Sequence, residues 1–277
     1  MFRKNIYNLY KRIGLTDGEI SAEISMIIDF LGIEPMKELK VGYSEEEKSK
    51  ILSFVQKRVD TGMPLQYILG FGYFMGEKFF VDKNTLIPRP ETEILVRECA
   101  NLANKTSNIL DIGTGSGCIA IELSKLTGAN VCGVDISADA IKIAKKNAKF
   151  HNVRCDFYVS DLFSNIKGTY DIIVSNPPYI PLKDMNMLEN HVINFEPHAA
   201  LFAKDEFGIE FYIKIIEQSL TFLNKNGYLC FEVGKAQSGK IIKVLQVKGF
   251  SEINTVKDLD NIERVIIAKF CKKNFAI

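Results

Sequence analysis

The sequence predicts an α/β protein with a doubly wound, mainly parallel sheet and a small N-terminal all-helical domain. From residue 108 onward, short β-branched runs alternate with helical patterns, which is typical of repeated βα units. Before residue 70, apolar residues recur at helical spacing instead. A stretch rich in glycine and aromatic residues separates the two regions. We therefore predict a helical substrate-binding domain (1–70), a hairpin linker (71–90) and an α/β domain (91–277).

The composition is that of an ordinary globular protein of 277 residues, with 47% hydrophobic and 25% charged residues. The formal net charge of +1 creates no overall field that would attract nucleic acid or an anionic membrane. No uncharged apolar run is long enough to cross a bilayer, and the N-terminus lacks the apolar core of a signal peptide. We expect a cytoplasmic protein that binds neither nucleic acid nor membrane, and we take a monomer as the default.

The six cysteines and three histidines show no metal-ligand spacing. Several cysteines fall within apolar runs, where the thiol behaves as a small hydrophobic group. The sequence therefore predicts reduced thiols and no metal site.

Three helical patterns fill the N-terminal segment. The second begins after Thr16 or Asp17, either of which is a suitable cap. The third begins with the capping-box spacing of Ser44 and Glu47 and ends at Gly62. These patterns predict a small helical bundle that helps to hold a large substrate, but they do not indicate which one.

Residues 64–81 change character, because three glycines punctuate six aromatic residues. This pattern predicts a short β-hairpin between the domains. A helix is expected to follow from Pro90, since proline suits the first helical turn and Glu91 and Glu93 suit its positive end.

The α/β region contains strand patterns that alternate with helical ones. The predicted strands cover residues 109–112, 131–134, 157–159, 171–174, 228–233 and 264–270. The predicted helices lie near residues 118–125, 138–150, 209–223 and 236–247.

A glycine-rich turn follows the first of these strands and precedes a helix. Its sequence, Gly113-Thr114-Gly115-Ser116-Gly117, allows a tight turn and a close approach of a ligand to the backbone. Asp135 ends the next strand, 20 residues beyond Gly115, where a carboxylate can accept hydrogen bonds from ribose hydroxyls. The combination predicts nucleoside binding, although a tight turn beside a solvated carboxylate would give the same pattern.

The third strand ends in Ser160-Asp161-Leu162-Phe163. Asp161 is a candidate acceptor for an adenine amine, with Leu162 or Phe163 covering the ring. Asp161 is also suited to cap a helix.

The fourth strand stops abruptly at Asn176-Pro177-Pro178-Tyr179. The prolines fix their own φ angles and favour extended geometry in the residues before them. Asn176 and Tyr179 are therefore predicted on a stiff turn at the carboxyl end of a strand, where open α/β sheets bind ligands. An ordinary turn is the alternative, since Asn-Pro is a common loop dipeptide.

Taken together, these motifs resemble those of class I S-adenosylmethionine-dependent methyltransferases. More narrowly, the chain is similar to the HemK/PrmC family, which methylates the glutamine of the Gly-Gly-Gln motif in class I peptide chain release factors. Further matching segments cover residues 64–70, 86–93, 195–201 and 264–265. The resemblance implies a Rossmann-like, seven-stranded sheet, S-adenosyl-L-methionine as cofactor and release factors as partners.

The resemblance also implies roles for individual residues. Gly113 to Gly117 would line the methionine and ribose end of the cofactor, Asp135 would bind the ribose, and Asp161 and Leu162 would lie near the adenine. Asn176 would contact both substrates, and the turn as a whole would be catalytic. Two departures from the family are Leu162, which is aromatic in some relatives, and Ala203-Lys204, which replaces a usual Gly-Gly pair.

Asn-Pro-Pro-Tyr suits methyl transfer to a planar nitrogen. The Asn176 oxygen and a proline carbonyl can accept both N–H groups of an amide, and Tyr179 can pack against its flat face. The same turn serves adenine amines, so an adenine-N6 methyltransferase acting on DNA or RNA is the main alternative. A non-catalytic methyltransferase-like subunit is a third. His198 is a weak candidate for a general base, because geometry must precede pKa in that choice.

Overall fold

The computed structural model describes residues 2–35 and 37–271. Met1, Met36 and residues 272–277, which fall in the predicted first and last domains, lie outside the described residues. The chain divides into two compact units. One runs to Phe71 and also includes Glu189–Phe195, and the other comprises Gly72–Leu188 and the chain from Glu196 onward. The predicted three-part division stays a prediction.

The first unit is built from helices whose starts are locally encoded. Thr16 and Ser44 each form a capping box, with Glu19 and Glu47 respectively. Buried Ile and Val side chains fill the centre of the unit, and Arg58 donates to buried Glu23 at 3.1 Å. Its helices up to Phe71 are α1 (Phe2–Lys11), α2 (Asp17–Phe30), α3 (Lys37–Lys40), α4 (Glu45–Thr61) and α5 (Leu65–Leu69). The sequence did not predict the two short helices α3 and α5.

A β-hairpin follows, as predicted, but it begins later than residue 64 because α5 occupies the first part of that stretch. Strands β1 (Phe71–Phe74) and β2 (Glu77–Phe80) are joined by Met75 and Gly76, whose φ angles are 53° and 79°. Two left-handed residues in succession are typical of a hairpin turn that follows the natural strand twist.

The remaining elements alternate as the βα pattern predicted. In chain order they are α6 (Thr92–Leu102), β3 (Asn108–Ile112), α7 (Cys118–Thr127), β4 (Asn130–Asp135), α8 (Ala138–Phe150), β5 (Cys155–Val159), β6 (Tyr170–Ser175), β7 (Ile180–Pro181), a 3₁₀ helix (Leu182–Met187), α9 (Asn190–Phe195), α10 (His198–Leu201), β8 (Phe202–Ala203), α11 (Glu210–Phe222), β9 (Leu223–Glu232), α12 (Ser238–Val247), β10 (Phe250–Lys257) and β11 (Glu263–Phe270).

The main sheet has seven strands in the order β10-β11-β9-β6-β3-β4-β5. The pairs from β9 to β5 are parallel, and only the pairs β10–β11 and β11–β9 are antiparallel. This arrangement confirms the predicted mainly parallel, doubly wound fold. Strand β10 is absent from the strand patterns recognised above, because an edge strand with alternating burial lacks a continuous apolar run.

Apolar side chains leave the sheet alternately toward its two faces, as strand geometry requires. Ile109 packs in the layer with α6, α7 and α8, whereas Leu110 packs in the layer with α11 and α12. Ile172 and Ile173 divide between the same two layers. Helices therefore cover both faces of the sheet. A ligand can approach the sheet at the edge where the parallel strands end.

The carboxyl ends of four parallel strands lie side by side at that edge. Ile112 is in register with Val134 and with Ser175, and Asp135 is in register with Val159. The Ser175 hydroxyl donates to the Ile112 carbonyl at 2.7 Å, which ties β6 to β3 beyond the backbone ladder. Among the described residues, no helix has both the length and the apolar character that crossing a lipid bilayer requires.

Candidate active site

The glycine-rich loop turns sharply at the end of β3. Gly113 and Gly115 have φ angles of 74° and 55°, which side chains rarely tolerate. A Cβ built on Gly113 would meet no atom within 4 Å, and one on Gly115 would meet only a backbone oxygen at 4.0 Å. The amides of Gly113 and Thr114 both donate to the Val134 carbonyl at 2.8 Å, which fixes the loop against β4. The loop thus presents bare backbone to open space.

Thr114, Ser116 and Gly117, the other residues of the glycine-rich loop, hold the loop in place. Thr114 is buried and donates its hydroxyl to Asp111 at 2.6 Å, and Ser116 is buried as well. A Cβ on Gly117 would lie 3.0 Å from the Ala144 side chain of α8, so Gly117 is needed for close packing of that helix. Gly113 and Gly115 are therefore the open positions of the predicted set, and the other three support them.

Asp111 is completely buried beneath the loop. Burial raises the pKa of its carboxyl group to about 7, although the hydrogen bond from Thr114 lowers it. Its Oδ1 atom has no hydrogen-bond partner among the described residues. A buried acceptor without a partner is unfavourable, and this adds to the cost of keeping the carboxyl group ionised.

Asp135 ends β4 directly beside the loop. Its two carboxylate oxygens accept from the amides of Gly115 and Ser137, each at 2.9 Å. Burial raises the pKa of the carboxyl group, and these two hydrogen bonds oppose the rise. Each oxygen keeps a second lone pair, so the oriented carboxylate can also accept from a pair of hydroxyls. The loop and Asp135 fit a nucleoside with a free ribose diol.

The segment after β5 contains Asp161 and the two candidates for covering an adenine ring. Asp161 is exposed and is followed by turns rather than a helix, so it does not cap one. Phe163 is buried and stacks on Phe222 with ring centroids 4.9 Å apart. Leu162 is half-buried with a φ of 47°, an unusual value for a residue with a branched side chain. Of the two candidates, Leu162 is therefore the more exposed, although it too packs against the core.

Asn176 follows β6 at the same edge of the sheet. Asn176 directly follows Ser175 of β6, and Gly113 directly follows Ile112 of β3. Ser175 and Ile112 are in register, so Asn176 and the glycine-rich loop begin at the same level of the sheet. The Asn176 Nδ2 atom donates to the Thr92 hydroxyl at 3.2 Å. The amide nitrogen is thus already used within the protein, and the side-chain oxygen is the end left for a ligand.

The rest of the Asn-Pro-Pro-Tyr turn is held from behind. Pro177 is buried, and the Tyr179 hydroxyl donates to the buried carboxylate of Glu232 at 3.4 Å. Burial raises the pKa of Tyr179 well above its ordinary value, and the neighbouring Glu232 raises it further. Tyr179 is therefore a neutral phenol anchored at its hydroxyl, and its half-buried side chain also packs against the core.

Gln237 clamps the end of the turn. Its Nε2 atom donates to the carbonyls of Tyr179 and Phe207, each at 2.8 Å, while its Oε1 atom accepts from the Gly234 amide at 2.9 Å. The chain passes so close that a Cβ on Gly208 would lie 2.0 Å from the Tyr179 carbonyl oxygen. The sequence reasoning missed these supporting residues. Thr92 lies in the matching segment 86–93 but was given no role there, and no local pattern marks Gly208, Glu232 or Gln237.

Two matching segments far apart in sequence meet at Arg89 and Glu196. The Arg89 guanidinium donates to the fully buried Glu196 side chain at 2.5 Å. His198 begins α10, is exposed and packs its ring against the edge of Phe202 at 5.2 Å. These contacts give the region a structural role and add nothing to the case for His198 as a base.

Ala203 and Lys204, which depart from the family pattern, adopt ordinary backbone conformations. Ala203 is buried in β8 and is in register with Pro181 of β7. The Lys204 amide donates to Glu210 at 2.6 Å, at the start of α11. Neither residue has a positive φ angle, so this loop conformation does not require glycine.

Comparison with known proteins identifies the family. The model of the methyltransferase small domain matches residues 90–209. A release factor glutamine methyltransferase of Bacteroides thetaiotaomicron is 36% identical over 256 residues, which cover 88% of this chain and 91% of that protein. The chain belongs to the release factor glutamine methyltransferase family.

Another member of this family agrees with that assignment. A release factor glutamine methyltransferase of Fusobacterium nucleatum is 42% identical over 233 residues, or 81% of this chain and 65% of that protein. The alignment thus spans slightly less than two thirds of that relative's length.

A solved structure supports the fold. The crystal structure of a methyltransferase from Pyrococcus furiosus matches with a TM-score of 0.57 at 16% identity, covering 82% of this chain and 100% of that one. The sheet is thus Rossmann-like. The family match makes the chain a methyltransferase-family enzyme and implies use of S-adenosylmethionine.

Proposed function

We propose that this enzyme transfers a methyl group from S-adenosyl-L-methionine to the side-chain nitrogen (N5) of the Gly-Gly-Gln glutamine in class I peptide chain release factors. The products are the N5-methylated glutamine, S-adenosyl-L-homocysteine and a proton. The names of the relatives support the acceptor, and the chemistry of the loop and turn supports both substrates.

One observation carries the proposal: the hydrogen bond from Asn176 Nδ2 to Thr92. Because the nitrogen end of the Asn176 amide is used, its oxygen remains as an acceptor at the edge where the glycine-rich loop ends β3. A hydrogen-bond acceptor beside a nucleoside-binding loop is what an N–H methyl acceptor requires.

The cofactor would be held by residues already described. Gly113 and Gly115 offer open backbone, and Asp135 offers an oriented carboxylate for the ribose hydroxyls. Asp161 and Leu162 would lie near the adenine, and Thr114, Ser116 and Gly117 complete the predicted loop. When bound, S-adenosylmethionine supplies an electrophilic methyl group on a sulfonium sulfur.

The turn addresses the weak nucleophilicity of the acceptor. An amide nitrogen shares its lone pair with the carbonyl group, so it attacks only when it is well oriented. The Asn176 side-chain oxygen and a carbonyl of Pro177 or Pro178 would accept both N–H groups, which favours positive charge developing on the nitrogen. The Tyr179 ring would pack against the flat amide. Once it carried the methyl group, the acceptor nitrogen would become acidic and would release its proton to water.

The helical domain, predicted as residues 1–70, is proposed to help hold the release factor. Release factors act in translation, so we also propose a cytoplasmic location. The monomeric state stays a prediction, which sedimentation at several protein concentrations checks.

The decisive experiment offers purified release factor and duplex DNA separately, each with methyl-labelled cofactor. We expect label on the factor and none on DNA, with mass spectrometry of the tryptic peptide placing one methyl group on the Gly-Gly-Gln glutamine. A release factor with that glutamine replaced by alanine is the matched acceptor control and should take up no label. Label on DNA with none on the factor would instead support an adenine methyltransferase.

A further inference from the structure

A buried carboxylate lies behind the Asn-Pro-Pro-Tyr turn and is reached by both of its ends. Glu232, the last residue of β9, is 2% exposed. One oxygen accepts from the Thr92 hydroxyl at 2.6 Å, and the other accepts from the Tyr179 hydroxyl at 3.4 Å. Thr92 in turn accepts from Asn176, so one carboxylate anchors the first and last residues of the turn.

The directions of these hydrogen bonds follow from the groups involved. An ionised carboxylate can only accept, and a threonine hydroxyl has a single hydrogen to donate. The Thr92 hydrogen is therefore directed to Glu232, and only a lone pair of its oxygen faces Asn176. An amide end that faces a lone pair must be the NH₂ end, since two oxygens without a hydrogen between them repel.

We propose that Thr92 and Glu232 are positioning residues that fix the Asn176 side chain with its oxygen toward the methyl acceptor. This inference rests on the proposed function, because it assigns the atom of Asn176 that meets the acceptor. Neither residue touches substrate in this scheme. Both act through the orientation of the Asn176 amide.

The surroundings of Glu232 indicate a role other than stability. Burial raises the pKa of its carboxyl group to about 7, while the Thr92 hydrogen bond and the charge of Arg264 lower it. Glu91 before α6 raises it further, and the Tyr179 phenol also bonds the carboxyl group. On α11, the Tyr212 hydroxyl donates to the Glu232 backbone carbonyl at 2.9 Å. A buried carboxyl group is unfavourable where glutamine would fit, so its presence points to function.

The first test compares Thr92→Val with Thr92→Ser. Valine keeps the shape of threonine but lacks the hydroxyl, whereas serine keeps the hydroxyl and lacks the methyl group. We expect Thr92→Val to lower kcat about 10- to 100-fold, because a freely rotating Asn176 amide is often misaligned. Thr92→Ser should retain most of the wild-type kcat. The dissociation constant for cofactor should change less than about twofold in both, since neither variant alters the glycine-rich loop.

Thr127→Val is the matched control. The Thr127 hydroxyl also donates within the protein, to the Leu123 carbonyl at 2.6 Å near the end of α7, and it lies outside the site. We expect this variant to keep the wild-type kcat. Its melting temperature shows what loss of one half-buried hydroxyl does to the fold alone.

The second test uses Glu232→Gln, which keeps the shape of the side chain but introduces a donor. If the Tyr179 hydroxyl keeps donating to this side chain, it takes the amide oxygen and the NH₂ group faces Thr92. The Thr92 hydrogen would then turn toward Asn176, where it favours the wrong end of the asparagine amide. We expect a fall of about 10-fold or more in kcat at pH 8 without loss of thermal stability. The wild-type kcat should decline toward that of Glu232→Gln as the pH falls below 7, because a protonated carboxyl group is likewise a donor.

The outcomes separate this inference from the proposed function. If the wild type transfers no methyl group to the release factor, the proposed function is wrong. If the wild type is active and Thr92→Val has the same kcat, the positioning role is wrong. An equal loss in Thr92→Ser and Thr92→Val would also overturn it, because the methyl packing and not the hydroxyl would then matter.

Discussion

The cofactor side and the acceptor side of the site are built in different ways. The cofactor side comes from one continuous βα unit and the end of the next strand, residues 108–135. The acceptor side begins with four consecutive residues, but these are held by Thr92, Glu232 and Gln237 from three other parts of the chain. One half is encoded locally, and the other depends on the completed sheet.

The cofactor side and the acceptor side also differ in the kind of atoms that they present to a ligand. The cofactor side relies mainly on backbone, because Gly113 and Gly115 expose peptide groups and Asp135 is itself held by two amides. The acceptor side relies on the orientation of one side-chain amide, which hydroxyls and a buried carboxylate determine. We therefore expect substitutions on the cofactor side to change affinity and those on the acceptor side to change the rate of transfer.

The largest expected effect is that of Asn176→Ala. Removal of the acceptor oxygen should lower kcat for release factor methylation by about 100- to 1000-fold, comparable to loss of a well-placed transition-state hydrogen bond. Cofactor affinity, measured by calorimetry with S-adenosyl-L-homocysteine, should persist. Equal loss of affinity and turnover would show that Asn176 acts on the cofactor side and would remove the distinction between the two halves.

The opposite pattern is expected for Asp135→Ala. Its carboxylate would accept from the ribose hydroxyls, and charge-assisted hydrogen bonds of that kind support a loss of about 10- to 100-fold in cofactor affinity. At saturating cofactor, kcat should fall much less. Asp139→Ala is a suitable control, since Asp139 is an exposed carboxylate on α8 that pairs with Lys142 at the surface. A fall in kcat without weaker cofactor binding would contradict the role of Asp135.

The two preceding predictions concern Asn176 and Asp135, which the sequence alone had indicated as candidate site residues. The strands around the site were found because buried parallel strands are continuous apolar runs, and the loop was found because three glycines follow one of them. The hydrogen-bonded chain from Glu232 through Thr92 to Asn176 was not found, since Thr92 and Glu232 are 140 residues apart and meet only when α6 packs beside β9. The return of Glu189–Phe195 to the first unit likewise had no signal in the sequence.

Gly208→Ala tests how tightly the completed fold holds the turn. A methyl group there would lie 2.0 Å from the Tyr179 carbonyl oxygen, so the backbone after Pro178 must move. We expect kcat to fall about 10-fold through displacement of the turn, with cofactor affinity nearly unchanged. Gly168→Ala is the matched control, because Gly168 also has a positive φ of 84° but has no atom near its Cβ position. If the two variants were equally active, close packing at Gly208 would not be what positions the turn.

The last expected effect concerns stability rather than rate and follows from the raised pKa of Glu232, about 7 in the folded protein. Unfolding exposes the carboxyl group and restores an ordinary pKa near 4.5. Between these values the folded state binds more protons than the unfolded state, so stability falls as the pH rises. Relative to Glu232→Gln, the wild type should therefore lose about 2–3 kcal/mol of unfolding free energy between pH 5 and pH 8.

Urea denaturation of both proteins across this pH range measures that difference. Asp111 contributes equally to the pH dependence of stability in both, because both retain it. A constant difference from pH 5 to pH 8 would mean that Glu232 is already ionised at pH 5. The acceptor side would then retain the same hydrogen-bond directions at every pH tested, and the predicted decline of wild-type kcat below pH 7 would not arise from Glu232. A difference that grows with pH, together with that decline, would tie the orientation of Asn176 to one buried proton.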